Sequence, residues 1–397
     1  MIWQTRPVGD VFDVVGGGTP SKKRPEYYGG AIPWATIRDM HSAELADTEH
    51  TITEEGLRAS SAKVVPAGEV IMASRVGLGK ACLLKQSTAI NQDIRALLPK
   101  EPQAIDRRFC LYWLQSIKDR IIGAGSGATV QGVKLPFIKS LPFPDVGLEE
   151  QKRIVAVLDQ AFAALDRARA NAEANLVDAE ELFDNALEEV FAELSVSSQT
   201  KSLSDAVHPD CKLSYGIVQP GDQVDSGLPI VRPVDLKSRT ISKSGLKRIS
   251  PDKADGYART KLTGEELLLC VRGSTGVVSM ATAELAGANV TRGIVPIRFL
   301  ADQVDLDFAY FQMRSPFARK QIADKTYGAA LMQINIKDLR ALNFVVPSLA
   351  VQRETIKRVE QLLEQSEALM DGYRTSIEDL DDLRQSILQK AFAGELV

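Results

Sequence analysis

The chain has 397 residues, enough for two or more domains with separate cores. Its charged and apolar fractions are ordinary for a soluble protein, and no run approaches 18 uncharged apolar residues, so no membrane span is predicted. Four scattered cysteines (Cys82, Cys110, Cys211, Cys270) without CxxC spacing, three histidines out of ligand register and an opening "MIWQTRPVGD" without an apolar core predict reduced thiols, no metal site, no secretion signal and a cytoplasmic location.

In chain order, four segments follow, and their charges alternate. Residues 1–148 carry net +3; short β-type runs such as "EVIMASRV" (69–76) and "KACLLK" (80–85) alternate with glycine and proline turns, and a helix is predicted over 106–122. Residues 149–194 carry net −8 and space their apolar positions by alternating threes and fours. That seam is Val155, Leu158, Phe162, Leu165, Arg169, Ala172, Leu176, Ala179, Phe183, Ala186 and Val190, a heptad pattern with one charged member. Residues 195–348 return to net +5, with strands predicted at 266–272 and 276–281 and a helix at 306–323. Residues 349–397 carry net −4 and a second seam: Ile356, Val359, Leu363, Ser366, Met370, Tyr373, Ile377, Leu380, Arg384, Ile387 and Ala391. Each block thus reads as α+β, and each seam as a long helix of about 60 Å that needs a partner.

The chain is written twice. "IPWATIRDM" (32–40) matches "LPIVRPVDL" (228–236), and "AGEVIMASRVGLG" (67–79) matches "TGEELLLCVRGSTG" (263–276). "NQDIRALLP" pairs with "VTRGIVPIRF", and from Gln151 and Gln352 onward the two copies run without an insertion. A period near 200 is far too long for a solenoid, so the reading is a duplicated unit of globe and helix. The seams alone leave helix direction open. The globular block between them favours antiparallel pairing, with the blocks related by a pseudo-two-fold axis.

Catalytic signatures are missing. Gly16-Gly17-Gly18 runs into Thr19-Pro20 instead of opening a helix, so it is no dinucleotide loop. "RVGLGKA" lacks P-loop spacing, and G-x-S-x-G and H-E-x-x-H do not occur. The acidic runs on the helices read as solvated faces. What remains is basic loops with hydroxyls and amides: Thr19, Ser21, Lys22, Lys23 and Arg24; Arg75 and Lys80; Gln131 and Lys134; then Arg232, Lys237 and Arg239; Arg272 and Thr275; Arg292; and Gln333. Such side chains suit phosphate contacts and base-edge readout. Any one of them is equally an ordinary surface loop; their recurrence in both copies favours DNA.

In "GGGTPSKKRPEYYGGAIPWATIRDM", "GEVIMASRVGLGKACLL", "NQDIRALLP", "LPFPDVGLEEQKRIVAVLDQ" and "LRQSILQKAFAGELV", the chain resembles the specificity subunits of Type I restriction–modification systems. The resemblance covers essentially the whole chain. It implies two target-recognition domains, at 1–148 and 195–348, each reading half of a bipartite duplex site. The helices at 149–194 and 349–397 are implied to form an antiparallel coiled coil that docks two modification subunits. Those partners would carry S-adenosylmethionine and methylate adenine N6, so this chain itself is expected to bind no cofactor and to catalyse nothing. Whether a motor and nuclease subunit joins them stays open. "FAEL" (191–194), before "SVSSQTKS", resembles the family's central spacer. The second copy departs from the pattern by lacking "GGGTP", which predicts a different phosphate grip there. Two other readings stand beside this one: a coiled-coil scaffold without DNA binding, and a self-contained duplicated enzyme.

Overall fold

The computed structural model describes residues 3–127, 131–328 and 331–395. Ala128, Thr129 and Val130 of the Gln131 segment, Ala329 and Ala330 of the Gln333 segment, and the chain ends Met1, Ile2, Leu396 and Val397 lie outside the described residues. Residues 1–172 with 375–397 form one unit, and residues 173–374 form the other; each holds one globular block and part of both long helices.

In the first unit the run Val70–Ala73 is apolar on both faces and buried at all four positions, as a central strand must be. It lies inside a five-stranded sheet of order Phe12–Gly16, Ile94–Pro99, Val70–Ala73, Ala81–Leu84 and Glu44–Leu45. A four-stranded sheet, His50–Ile52, Tyr28–Ala35, Thr88–Ile90 and Lys63–Val65, carries the outer loops. The predicted 106–122 helix forms as Arg107–Ser116 and Lys118–Gly123, interrupted at Ile117. The second unit repeats the plan with two three-stranded sheets: Lys247–Ile249, Leu228–Val231 and Asn289–Val290, then Val278–Met280, Leu267–Cys270 and Ile294–Ile297. Its helix is likewise split, into Leu306–Arg314 and Pro316–Asp324, because Pro316 has no N–H to continue the first segment.

The long helices run Leu148–Ser197 and Leu349–Ala393. In the first unit Arg384 reaches Asp166 at 2.8 Å and Arg169 pairs with Asp381. In the second, Arg358 reaches Glu193 at 3.4 Å and the Ser366 hydroxyl donates to the Ala179 carbonyl at 2.9 Å. One number rises as the other falls, so the pairing is antiparallel within each unit. Every seam position is buried or half-buried, and the three polar members Arg169, Ser366 and Arg384 each have a partner on the opposite helix. Arg384 also lies 4.4 Å from the centre of the Phe162 ring.

The "FAEL" segment lies within the first long helix. The helix continues three residues past Leu194, and Ser195 and Ser197 donate back to the Ala192 and Glu193 carbonyls. Phe191 is fully buried and meets Phe308 at 5.4 Å. Thr200–Ser202 then joins Asn343–Val345 as a strand pair. The apolar side chains around Phe191 are core of the second unit, which is why no free linker forms there.

In each unit one buried glutamine of the long helix makes an equivalent set of hydrogen bonds to the globular block. Gln151 accepts from the Asp106 N–H at 2.9 Å and donates to the Ala104 and Val146 carbonyls. Gln352 accepts from the Asp305 N–H at 2.8 Å and donates to the Gln303 and Pro347 carbonyls. Both side chains are buried, and both satisfy backbone groups outside any helix or strand ladder.

Candidate nucleic-acid interface

The triple glycine of the first unit serves close packing. A Cβ on Gly17 would stand 1.9 Å from the Ile90 carbonyl oxygen, and one on Gly18 would stand 2.1 Å from Ser61 Oγ. Gly18 N–H donates to the Ile90 carbonyl, the Trp34 indole donates to the Gly18 carbonyl at 3.1 Å, and the Tyr28 hydroxyl donates to Pro20 at 2.6 Å. This pins the loop from which exposed Ser21, Lys22, Lys23 and Arg24 project, with Arg24 paired to Glu26 at 3.0 Å. The second unit keeps the device without the motif. A Cβ on Gly216 would stand 2.1 Å from the Val290 carbonyl oxygen, and Ile217 N–H donates to that oxygen. The missing "GGGTP" therefore changes the loop's side chains and leaves the backbone anchor in place.

Beside the pinned loop, the first unit opens into a cavity of about 820 Å³ lined by Thr19, Lys22, Arg38, His50, Gln92 and Asp93 among others. Asp39 holds its floor, accepting from the Thr36 N–H, the Thr36 hydroxyl and the Glu49 N–H. Arg75 stands 3.6 Å from Asp93. Behind them Arg95 is half-buried, and burial is the main cause holding its pKa below the ordinary value. Arg75 also bridges in antiparallel fashion to Gly132, so the structure brings the Arg75 turn and the Gln131 segment together. Gly77 and Gly79 of that turn have φ of +71° and +88°, a conformation that side chains resist. Lys80 reaches back toward the Ile37 carbonyl at 3.5 Å, and exposed Lys134 stands at the start of the helix Leu135–Ser140.

The second unit brings together the equivalent parts. Arg272 bridges to Gln333, whose amide donates to the Tyr327 hydroxyl at 2.9 Å. Lys237, Arg239 and Thr275 line a separate cavity of about 540 Å³ with Arg314 and Arg319. Two of its predicted cations already have anionic partners. Arg232 makes two hydrogen bonds to Asp235, which raise its pKa. Arg239 bridges Asp307 at 2.5 Å and Glu360 at 2.9 Å and lies over the Phe311 ring. Arg292 is exposed on a turn, and among the described residues its guanidinium has no hydrogen-bond or ion-pair partner.

Sequence reasoning missed Arg38, His50, Asn91 and Gln92 in the first unit. A signal for Gln92 was present, since "NQDIRALLP" lines up with the stretch that contributes Arg292. Among the described residues no three of His, Cys, Asp and Glu are placed to hold a metal ion, and no helix is long and apolar enough to cross a membrane.

Residues 2–175 match the Type I restriction modification DNA specificity domain. The MjaIX type I restriction enzyme specificity subunit of Methanocaldococcus jannaschii is 24% identical over 99% of this chain and 93% of its own length. A chain solved in work on complex assembly and conformational transition of the type I R-M system superposes with a TM-score of 0.71 at 20% identity, covering 100% of this chain and 98% of that one. The HsdS subunit from Thermoanaerobacter tengcongensis gives a TM-score of 0.57 at 20% identity, covering 99% and 97%.

Proposed function

Because residues 2–175 match the Type I restriction modification DNA specificity domain and a specificity subunit aligns over nearly the whole chain, we propose that this chain is a type I restriction–modification specificity subunit, that it reads a bipartite DNA target, one half-site per unit, and that it lends that specificity to partner subunits that carry the chemistry. The observation that carries this reading is the repetition of one loop assembly in both units. A glycine-pinned loop, an arginine turn and a glutamine segment bridged to that turn recur in both units. Lys22, Lys23, Arg75 and Lys80 supply phosphate contacts in the first unit, and the amides and the remaining arginines supply base-edge contacts.

The chain acts as recognition subunit, not as catalyst, and holds no cofactor of its own. S-adenosylmethionine belongs to two modification subunits that methylate adenine N6. These dock on the long helices, whose outer faces carry acidic residues together with exposed apolar ones: Val177 and Leu182 beside Glu180 and Glu181 in the second unit, and Leu383 beside Asp382 in the first. Acidic helices repel phosphate, which favours a protein on that face.

Neutralising Lys22, Lys23, Arg75 and Lys80 together tests the DNA reading in the assembled complex. The expected result is weaker binding to every duplex and a salt dependence about one unit shallower for each lost phosphate contact. Unchanged affinity and slope would favour a scaffold without DNA contact.

A further inference from the structure

One turn is built alike in both units and differs at its tip. In the first unit the turn is Asn91-Gln92-Asp93, in the second Thr291-Arg292-Gly293. Asn91 N–H donates to the Ala35 carbonyl at 3.0 Å, and Thr291 N–H donates to the Val231 carbonyl at 2.9 Å. Ile94 N–H closes onto Asn91, and Ile294 N–H onto Thr291. The Asp93 carbonyl accepts from Ser74 N–H and the Gly293 carbonyl from Val271 N–H, each at 2.8 Å, beside the arginine turns. The backbone is therefore held from two sides, and the residues at all three positions differ, with the tip side chain the exposed one.

At the first tip, the Gln92 amide is already oriented. Its Oε1 accepts from the Thr19 hydroxyl, and its Nε2 donates to Asp93 Oδ2 at 3.1 Å. An amide oxygen has a second lone pair and an amide nitrogen a second hydrogen. One acceptor site and one donor site of the amide stay unused at the wall of the first unit's cavity. That pair of functions matches the N6 and N7 edge of adenine. A phosphate would use only the donor of this amide, whereas a base edge uses donor and acceptor together, and Lys22 in the same cavity is the better phosphate partner. At the second tip, unpartnered Arg292 offers a planar fork that matches the O6 and N7 edge of guanine.

We propose that these tips are base readers: Gln92 selects an adenine in the half-site of the first unit, and Arg292 selects a guanine in the half-site of the second, both from the major groove. The inference rests on the DNA-reading function proposed above. It adds which base pair each unit demands and through which side chain.

The test uses the full chain assembled with the modification subunits of its own system. Methylated sites are mapped first to obtain the target, and binding is then measured to duplexes changed one base pair at a time. The wild-type complex should lose roughly 5- to 150-fold at one A·T pair of one half-site when that pair becomes G·C. Gln92→Ala should abolish that preference and leave every position of the other half-site as selective as before, which also shows that the variant is folded. Arg292→Ala should abolish the preference at one G·C pair of the opposite half-site. Full selectivity at every pair in both variants, or a uniform loss across all duplexes, would overturn the assignment. A wild-type complex that fails to distinguish any duplexes would instead remove the proposed function itself.

Discussion

The two units share what holds them up and differ in what they show to solvent. Gln151 and Gln352 satisfy equivalent backbone groups, and Gly17 and Gly216 pack against equivalent carbonyls. Asp106 and Asp305 cap equivalent helices, each accepting from backbone N–H groups of the first turn. At the surface the match breaks. Gln92 faces Arg292 in the alignment, and Arg108 faces Asp307. In the first unit Arg108 pairs with Asp159 of the long helix at 2.8 Å; in the second, Arg239 bridges Asp307 and Glu360. The duplicated fold therefore holds a reversed charge where a new counter-charge arrives, and it keeps the same buried glutamine in both units. The difference separates the scaffold from the proposed reading surface.

That comparison can be strained at its strongest point first. Gln151→Ala and Gln352→Ala each remove three hydrogen bonds to buried or part-buried backbone groups, and each should destabilise its own unit by about 2 kcal/mol. Chemical denaturation followed by hydrogen exchange would show two losses of similar size, one per unit. A neutral Gln352→Ala would mean that the second unit is fastened differently. A smaller effect is expected from Arg239→Ala, since its ion pairs are about one-third exposed and screened: about 1 kcal/mol, shrinking in 1 M salt. Were the loss independent of salt, the stacking on Phe311 and not the charge bridge would be the main contribution.

Much of the scaffold was legible in the sequence because it is periodic. The threes and fours from Val155 to Val190 could be satisfied only by one continuous helix, and the seam residues are buried or half-buried as that spacing requires. Strand cores such as Val70–Ala73 and Leu267–Cys270 announced themselves as short apolar runs between glycine turns. The end of the first helix was misplaced at Leu194 because serines signal a loop locally, while Phe191 and Leu194 are held in tertiary contact. The candidate interface was legible only in outline. Cations in loops were visible, but their partners were not: Arg239 meets Asp307 and Glu360 from 68 and 121 residues away. Gln92 carries no periodic or compositional mark. Its significance comes from a turn whose hydrogen bonds involve Ala35, Ser74 and Thr19, three separate stretches of chain.

The central claim is that this chain chooses the sequence at which others act. Mapping N6-methyladenine across a genome tests it most directly, in cells that contain the modification subunits and either possess or lack this chain. A two-part motif methylated only when the chain is present is the predicted result; the same methylated positions in both cells would contradict it.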